Sequence, residues 1–192
     1  SSASLNAVSV VAKDQDVFVS DTEDIYGILK GFHLSDLHPR PVMIESIPID
    51  AADDLVINES YIVAVSSTGD LQIIDRQNKS LLGNYENPNP MNEACPLVVR
   101  GTYAFLSHTD GFTFSRFEIL DISDTSHLDL VSSMDFSTPL WCRDVQGDYA
   151  YLVGYSGLTI VDISEPVAPR LAGSVIIPGT AFDAAVRGRH AY

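Results

Sequence analysis

Residues 157–166 read GLTIVDISEP, and this stretch decides the fold. Its Leu, Ile, Val and Thr residues are typical of a β-strand, and the Gly before them and the Pro after them mark turns. Related stretches occur three times earlier in the chain, as FEILDISD at 117–124, GDLQIID at 69–75 and, more weakly, GFHLSD at 31–36. The aligned positions are 33, 75, 121 and 162, which are 42, 46 and 41 residues apart. A period of roughly 40–45 residues indicates a repeat protein.

A second landmark, a turn followed by an aromatic and aliphatic strand, has the same period. Its clearest copies are VQGDYAYLV at 145–153, VRGTYAFL at 99–106 and VRGRHAY at 186–192, and weaker copies lie at 57–63 and 12–19. The turn falls at positions 14, 59, 101, 147 and 188, which are 45, 42, 46 and 41 residues apart. Both landmarks recur at intervals of 42, 46 and 41 residues, so chance is a poor explanation for either of them.

Within one repeat, four strands are predicted, at 140–146, 149–153, 158–163 and 171–177. Turns rich in Gly and Pro separate them, and proline cannot donate the hydrogen bonds of a strand interior. No segment has sustained helical periodicity. A four-stranded unit with this period is typical of a β-propeller blade, and blades bury their faces by stacking around an axis. The sequence therefore predicts an all-β fold, a β-propeller of four-stranded antiparallel blades.

The repeat divides the chain into a single propeller region of about four and a half blades. The predicted blades span 5–49, 50–92, 93–138 and 139–178, and a partial blade spans 179–192. Since propellers contain about four to eight blades, the unfinished fifth unit predicts a fragment of a larger propeller. An Asp recurs at a strand end, at 75, 121 and 162. Its predicted role is to accept backbone N–H bonds and thereby fix the following turn.

The third and fourth units resemble a known family. Residues 157–169 read GLTIVDISEPVAP, Pro178-Gly179 follows, and 186–192 begin the next unit with VRGRHAY. These residues look like the LVIVD repeat, and in the first unit His33 stands where later units have Asp. The resemblance implies a β-propeller of bacterial or archaeal type, commonly exported or attached to the cell surface. It supplies no catalytic residues. An extracellular, periplasmic or cell-surface location is therefore expected.

The charge balance excludes several classes of partner. The 192 residues include 11 Lys and Arg against 26 Asp and Glu, a formal net charge of −15. Binding to nucleic acid or to an anionic membrane surface needs clustered positive charge, which this composition opposes. The sequence contains no apolar run of the roughly 20 residues that a transmembrane helix needs. The expected partner is a protein or a carbohydrate.

The cysteines and histidines form no recognisable motif. Cys95 and Cys142 are too few for a disulfide scaffold, and they are either two buried thiols or a single pair. His108 and His127 each lie close to a turn and are predicted to be exposed. No zinc-protease motif is present. The sequence 154–157 lacks the second Gly of a nucleophile elbow and is predicted to be a hairpin turn.

Candidate ligand-binding residues lie on the segments that enter the first strand of each blade, because propeller ligands usually sit at the central channel. They are Asp53, Asp54, Glu93, Trp141, Arg143, Asp144 and Asp183. The carboxylates would converge to form an acidic channel mouth, where Ca²⁺ or a cationic ligand is one candidate occupant. The alternative is that each acid bonds the backbone of its own blade. Trp141 and Arg143 are either a ligand platform or core and surface packing.

These observations favour a non-catalytic, exported or cell-surface binding module, whose ligand the sequence does not identify. The loops vary most between repeats, and loops on a rigid frame commonly carry recognition. The alternative is a metal-dependent hydrolase or lyase with its site in the propeller channel, which rests on the acidic residues alone.

Overall fold

The computed structural model describes residues 7–21, 28–35, 38–48, 52–90 and 96–192. These residues form eighteen β-strands and no helix. The first sheet contains β1 (Ala7–Lys13), β2 (Asp16–Asp21), β3 (Ile28–Ser35) and β4 (His38–Pro48). The second contains β5 (Ala52–Ile57), β6 (Tyr61–Ser66), β7 (Leu71–Asp75) and β8 (Leu81–Tyr85). The third contains β9 (Leu97–Arg100), β10 (Tyr103–Thr109), β11 (Ser115–Asp121) and β12 (Asp129–Phe136). The fourth contains β13 (Leu140–Gln146), β14 (Tyr149–Gly154), β15 (Gly157–Asp162) and β16 (Arg170–Val175). A two-stranded sheet follows, of β17 (Val186–Arg187) and β18 (His190–Ala191).

Each four-stranded sheet is an antiparallel meander whose strands pair in sequence order. The first strands of successive sheets pack beside one another, β1 against β5, β5 against β9, β9 against β13 and β13 against β17. This arrangement places the first strands innermost and the fourth strands outermost. The sheets are the blades of a β-propeller, so the predicted all-β fold class is confirmed. We number the blades 1 to 4 in chain order.

Two faces follow from the strand directions. The upper face carries the turns between second and third strands and the connections between blades, which in the described chain are 67–70, 86–90, 110–114, 137–139, 155–156 and 176–185. The lower face carries the turns between first and second strands and between third and fourth strands. Loops from neighbouring blades therefore share a surface although they lie far apart in sequence.

The core lies between the blades. One cluster joins Phe18 of blade 1 to Ile62 and Ile74 of blade 2. A second joins blade 2 to blade 3, around Leu71 and Leu120, and a third joins blade 3 to blade 4. Burial of one such side chain contributes about 1.5–3 kcal/mol. Because a single blade has no interior of its own, these interfaces hold the fold together.

The turn landmark of the sequence has a common backbone geometry. Asp14, Gly101, Gly147 and Gly188 have φ of 57°, 59°, 57° and 60°, each at the first position of a two-residue loop between first and second strands. Such a φ is the geometry of a tight hairpin turn that matches strand twist. The second blade differs: its loop has three residues, and Oδ1 of Asn58 accepts hydrogen bonds from the N–H groups of Ser60 and Tyr61, both at 2.8 Å.

The Asp landmark also has a repeated geometry. The third and fourth strands shift register just before positions 33, 75, 121 and 162, between residues 31 and 32, 73 and 74, 119 and 120, and 160 and 161. After this bulge, Oδ1 of Asp75, Asp121 and Asp162 accepts a hydrogen bond from the N–H two residues later, at 2.8–2.9 Å. The predicted turn-fixing role of these carboxylates is confirmed.

Candidate functional site

Three of the candidate acids make the same local hydrogen bond. Asp54, Asp144 and Asp183 each accept, through Oδ1, the N–H of the following residue at 2.8–2.9 Å. Asp54 and Asp144 stand at a bulge of their inner strands, β5 and β13. The bulge turns the carboxylate along the strand, where it meets its own backbone.

Asp54 and Asp144 also bond to the neighbouring blade. Oδ2 of Asp54 accepts the N–H of Leu97 on β9 at 3.0 Å, and Oδ2 of Asp144 accepts the N–H of Val186 on β17 at 2.7 Å. Ser9 on β1 donates its hydroxyl to Oδ1 of Asp54 at 3.1 Å. These carboxylates therefore connect successive inner strands, a function that the sequence reasoning did not foresee.

The remaining candidates are arranged differently. Asp53 and Arg143 are half-buried on β5 and β13, and Asp53 has interactions of its own. Glu93 lies outside the described residues. Among the residues that the structure describes, no three His, Cys, Asp or Glu side chains lie close enough together to hold a metal ion. The acids of successive inner strands are thus bound to backbone rather than gathered around one point, and their ligand-binding role stays a prediction.

Cys142 is a free, fully buried thiol on β13. Its backbone N–H donates to the hydroxyl oxygen of Ser107 on β10 at 2.7 Å, which joins blade 4 to blade 3. Burial raises the pKa of the thiol, so it is a packing group with little thiolate at neutral pH. Cys95 lies outside the described residues.

A group of three aromatic side chains, two of them exposed and one half-buried, lies on the upper face of blades 3 and 4. We call Phe112, Trp141 and Tyr155 the aromatic patch. The Trp141 and Tyr155 rings meet edge to face with centroids 5.8 Å apart. The Tyr155 hydroxyl donates to the carbonyl of Gly111 at 3.3 Å, which brings the turn of blade 4 against the loop that carries Phe112. Phe112 is 80% exposed and Tyr155 is 50% exposed.

The loop that carries Phe112 is held by one carboxylate. Oδ1 of Asp110 accepts the N–H groups of Phe112, Thr113 and Phe114 at 2.8–2.9 Å, and Oδ2 accepts the Thr113 hydroxyl. These hydrogen bonds, first among them that of Phe112, hold the pKa of Asp110 well below its usual range. The loop is therefore a fixed turn with a carboxylate at its base that is ionised at neutral pH.

Of this patch, sequence reasoning named Trp141 and missed Phe112 and Tyr155. Both missed residues lie in hairpin turns, where small polar residues are usual. A large aromatic side chain at the tip of a turn cannot reach the core of its own blade. The presence of a large aromatic residue at the tip of a turn was therefore the sequence signal that could have revealed Phe112 and Tyr155.

A buried polar cluster lies at the upper end of the interface between blades 2 and 3. Nε2 of His108 lies 3.0 Å from Oε2 of Glu118, and both side chains are fully buried. The Asn87 side-chain nitrogen lies 3.0 Å from Nδ1 of His108. Because Oδ1 of Asn87 accepts the N–H of Asn89, the Asn87 amide nitrogen donates to Nδ1 of His108, and the neutral ring then carries its proton on Nε2. Burial and the nearby carboxylate of Glu118 raise the pKa of Tyr85 to about 12.

The prediction that His108 is an exposed turn residue was wrong. β10 continues through Thr109, so His108 follows Ala104 and Leu106 on the face that packs against blade 2. The same prediction for His127 is confirmed, since its side chain is 76% exposed. Because His108 and Glu118 are closed off from solvent, they join blades rather than meet a substrate.

The stacked antiparallel sheets and their two loop faces define the chain as a β-propeller. The family model of the LVIVD repeat matches residues 92–136 and 144–176. The match covers most of the third and fourth blades and confirms, over those residues, the resemblance seen in the sequence. No curated protein matches the chain.

Solved structures with a similar fold include the computationally designed Ika8 protein, with a TM-score of 0.67 and 9% identity over 96% of this chain. A protein from Lactobacillus plantarum has a TM-score of 0.67 and 13% identity over 95% of this chain. The WD40 domain of Toxoplasma gondii coronin has a TM-score of 0.66 and 13% identity over 91% of this chain. The chain spans 66%, 60% and 46% of the lengths of these three structures. At such identities the likeness concerns the fold alone.

The described residues contain no helix that is long and apolar enough to cross a bilayer.

Proposed function

We propose that this chain is a non-catalytic β-propeller binding module, exported or held at the cell surface, that recognises a protein or a carbohydrate through its upper face. The proposed location follows the LVIVD resemblance, since proteins of that family are commonly exported. The high negative charge suits a protein that must stay soluble without partners.

One observation carries the proposal: Phe112 is 80% exposed on a loop that Asp110 holds in one conformation. An exposed aromatic side chain adds little to the core, and because its loop is already fixed, the loop backbone loses little conformational freedom when a partner covers it. Trp141 and Tyr155 extend the apolar surface across the boundary between blades 3 and 4. Aromatic residues are enriched at the energetic centres of interfaces.

The experiment is an immobilised array of synthetic peptides of defined charge and of oligosaccharides, probed with the wild-type chain and with two variants. Phe112→Ala removes the centre of the patch. Val167→Ala is the matched control, because Val167 is 73% exposed on the lower face. We expect at least one class of probe to bind the wild type and the control and to lose binding to Phe112→Ala. Equal binding by all three proteins, or none by any, would refute a binding role of the upper face.

A further inference from the structure

The two faces of blade 4 are covered unequally. Leu152 and Val161 pack against blade 3 in a buried cluster. Because side chains alternate across a strand, the residues between them point away from blade 3. Val175 pairs with Leu158 and lies on that same side. We call this side the open face of blade 4, and it consists of Tyr151, Leu158, Ile160 and Val175.

The same positions are buried in the two preceding blades. The equivalents of Tyr151, Leu158 and Ile160 are Val63, Leu71 and Ile73 in blade 2 and Phe105, Phe117 and Ile119 in blade 3. All six are at most 2% exposed, because each set packs against the following blade. In blade 4 the three side chains are half-buried, and Val175 is 57% exposed. Met134, the counterpart of Val175 in blade 3, packs against the cluster between blades 3 and 4. The open face therefore has the composition of a blade interface.

The two-stranded sheet after blade 4 stands where the next blade begins. β17 packs beside β13, and the N–H of Val186 donates to Asp144 as the N–H of Leu97 donates to Asp54. β18 pairs with β17, and within the described chain its other edge pairs with no strand. β17 and β18 thus hold the places of a first and a second strand, and the places of a third and a fourth strand are left over the open face.

We propose that the open face of blade 4 is the docking surface of two further strands of the same repeat, contributed by the polypeptide beyond Tyr192. These strands pair with the free edge of β18 and complete a fifth blade. The third strand of such a blade needs aliphatic residues toward blade 4, where Leu120 and Ile122 of blade 3 face blade 2. The surface thus continues the series of interfaces that holds the blades together.

A second copy of the chain fits this surface less well. β17 and β18 already lie over the inner half of the blade 4 sheet, so a complete four-stranded blade of another molecule cannot stack flat on it. Half a blade is what the remaining space and the free edge of β18 accept. The inference does not depend on the binding function of the upper face.

The experiment supplies the missing strands from the chain's own repeat. Tyr192 follows His190 and Ala191 as Tyr151 follows Tyr149 and Ala150, so a copy of residues 152–175 is joined directly after Tyr192. The control extension has the same composition in scrambled order. Unfolding in urea is followed by the fluorescence of Trp141, the only tryptophan of the chain. We expect the native-order extension to raise the urea midpoint by roughly 1 M relative to the scrambled one, since several aliphatic side chains become covered.

Two substitutions in blade 4 locate the contact. Val175→Lys places a charge on the open face and should remove most of the gain in midpoint. Leu171→Lys is the matched control, because Leu171 lies on the same strand and is 60% exposed, but it pairs with Val161 and faces the other way. Each extended variant is compared with the unextended chain that carries the same substitution, so the effect of the substitution on blade 4 itself cancels.

The outcomes are decisive in both directions. A native-order extension that stabilises no more than the scrambled one, or a gain that Val175→Lys leaves intact, overturns the proposal. Sedimentation of the unextended chain tests the other occupant: a dimer that Val175→Lys dissociates would assign the open face to a second copy and would overturn the proposal as well. A gain that Val175→Lys removes and Leu171→Lys keeps supports it.

Discussion

Gly69 shows how one residue closes the buried polar cluster between blades 2 and 3. It lies in the turn between β6 and β7 with φ of +85°, a conformation that favours glycine. A Cβ atom there would lie 2.5 Å from the Asn87 side-chain nitrogen and 2.7 Å from Nδ1 of His108. The backbone therefore passes directly over the hydrogen bond between those two side chains.

Gly69→Ala should destabilise the chain by about 2–3 kcal/mol, since it adds a steric clash to backbone strain. Gly101→Ala is the control, because Gly101 has φ of +59° with no atom within 4 Å of its Cβ position. It should cost only about 1 kcal/mol, the strain alone. Urea unfolding followed by Trp141 fluorescence measures both. Equal losses in the two variants would mean that the cluster tolerates the methyl group.

The buried His108–Glu118 pair could not be predicted from the sequence, and the reason is physical. Asp110 and Gly111 form a genuine turn, and the sequence shows no sign that the strand before it continues through Thr109. Nothing within one blade indicates that the His108 side chain meets Asn87 of the preceding blade, 21 residues earlier in the chain. Buried polar pairs between repeats depend on how blades stack, which the repeat pattern does not encode.

At the scale of the strand, one carboxylate joins three inner strands. Asp54 on β5 accepts a hydroxyl from β1, its own backbone N–H and the N–H of Leu97 on β9. Asp144 repeats the last two bonds on β13 and β17. The inner strands of neighbouring blades lie side by side. These hydrogen bonds therefore fix the position of each inner strand against the next one.

Asp54→Asn should destabilise the chain by about 2 kcal/mol, because a charged acceptor facing Leu97 N–H is replaced by an amide that cannot accept on both sides. The loss is measured from the urea midpoint at unchanged slope. Asp124→Asn on the lower face makes the same chemical change, and it should cost clearly less than Asp54→Asn because the Asp124 carboxylate bonds only within its own turn, to Ser126. If Asp54→Asn is as stable as the wild type, the bond to Leu97 contributes nothing and Asp54 is available for a ligand.

Sequence reasoning worked best for strands and turns. β13 has the predicted bounds, and the turns at 14, 101, 147 and 188 share one φ. These features are local, since a Gly or Asp with positive φ and a β-branched run are specified within a few residues. The aromatic patch was only partly foreseen, because Phe112 and Trp141 come from different blades, and the link between their loops is Tyr155, which contacts Trp141 and donates to the carbonyl of Gly111.

At the scale of the molecule, several surface carboxylates stabilise the fold at neutral pH through hydrogen bonds and ion pairs. Backbone hydrogen bonds lower the pKa of Asp110 and Asp162, a side-chain bond from Ser126 lowers that of Asp124, and Arg116 lowers that of Asp135. Each folded-state pKa is below the unfolded value of about 3.9. Folding therefore favours the ionised forms, and each group stabilises the fold fully above that unfolded pKa.

Stability should accordingly be constant from neutral pH down to about pH 5 and fall steadily below about pH 4, as the unfolded state takes up protons first. Protonation also reduces the net charge of −15, and the loss of repulsion opposes the fall. Because several turns lose their carboxylate acceptors together, we expect the fall to prevail.

Urea, which is uncharged, is the denaturant for the measurement, with midpoints taken from Trp141 fluorescence. Asp110→Asn cannot titrate at this position, so its midpoint should decline less steeply with acid than that of the wild type. A wild-type midpoint that stays level or rises between about pH 4 and pH 2.5 would show that relief of charge repulsion outweighs the carboxylate hydrogen bonds.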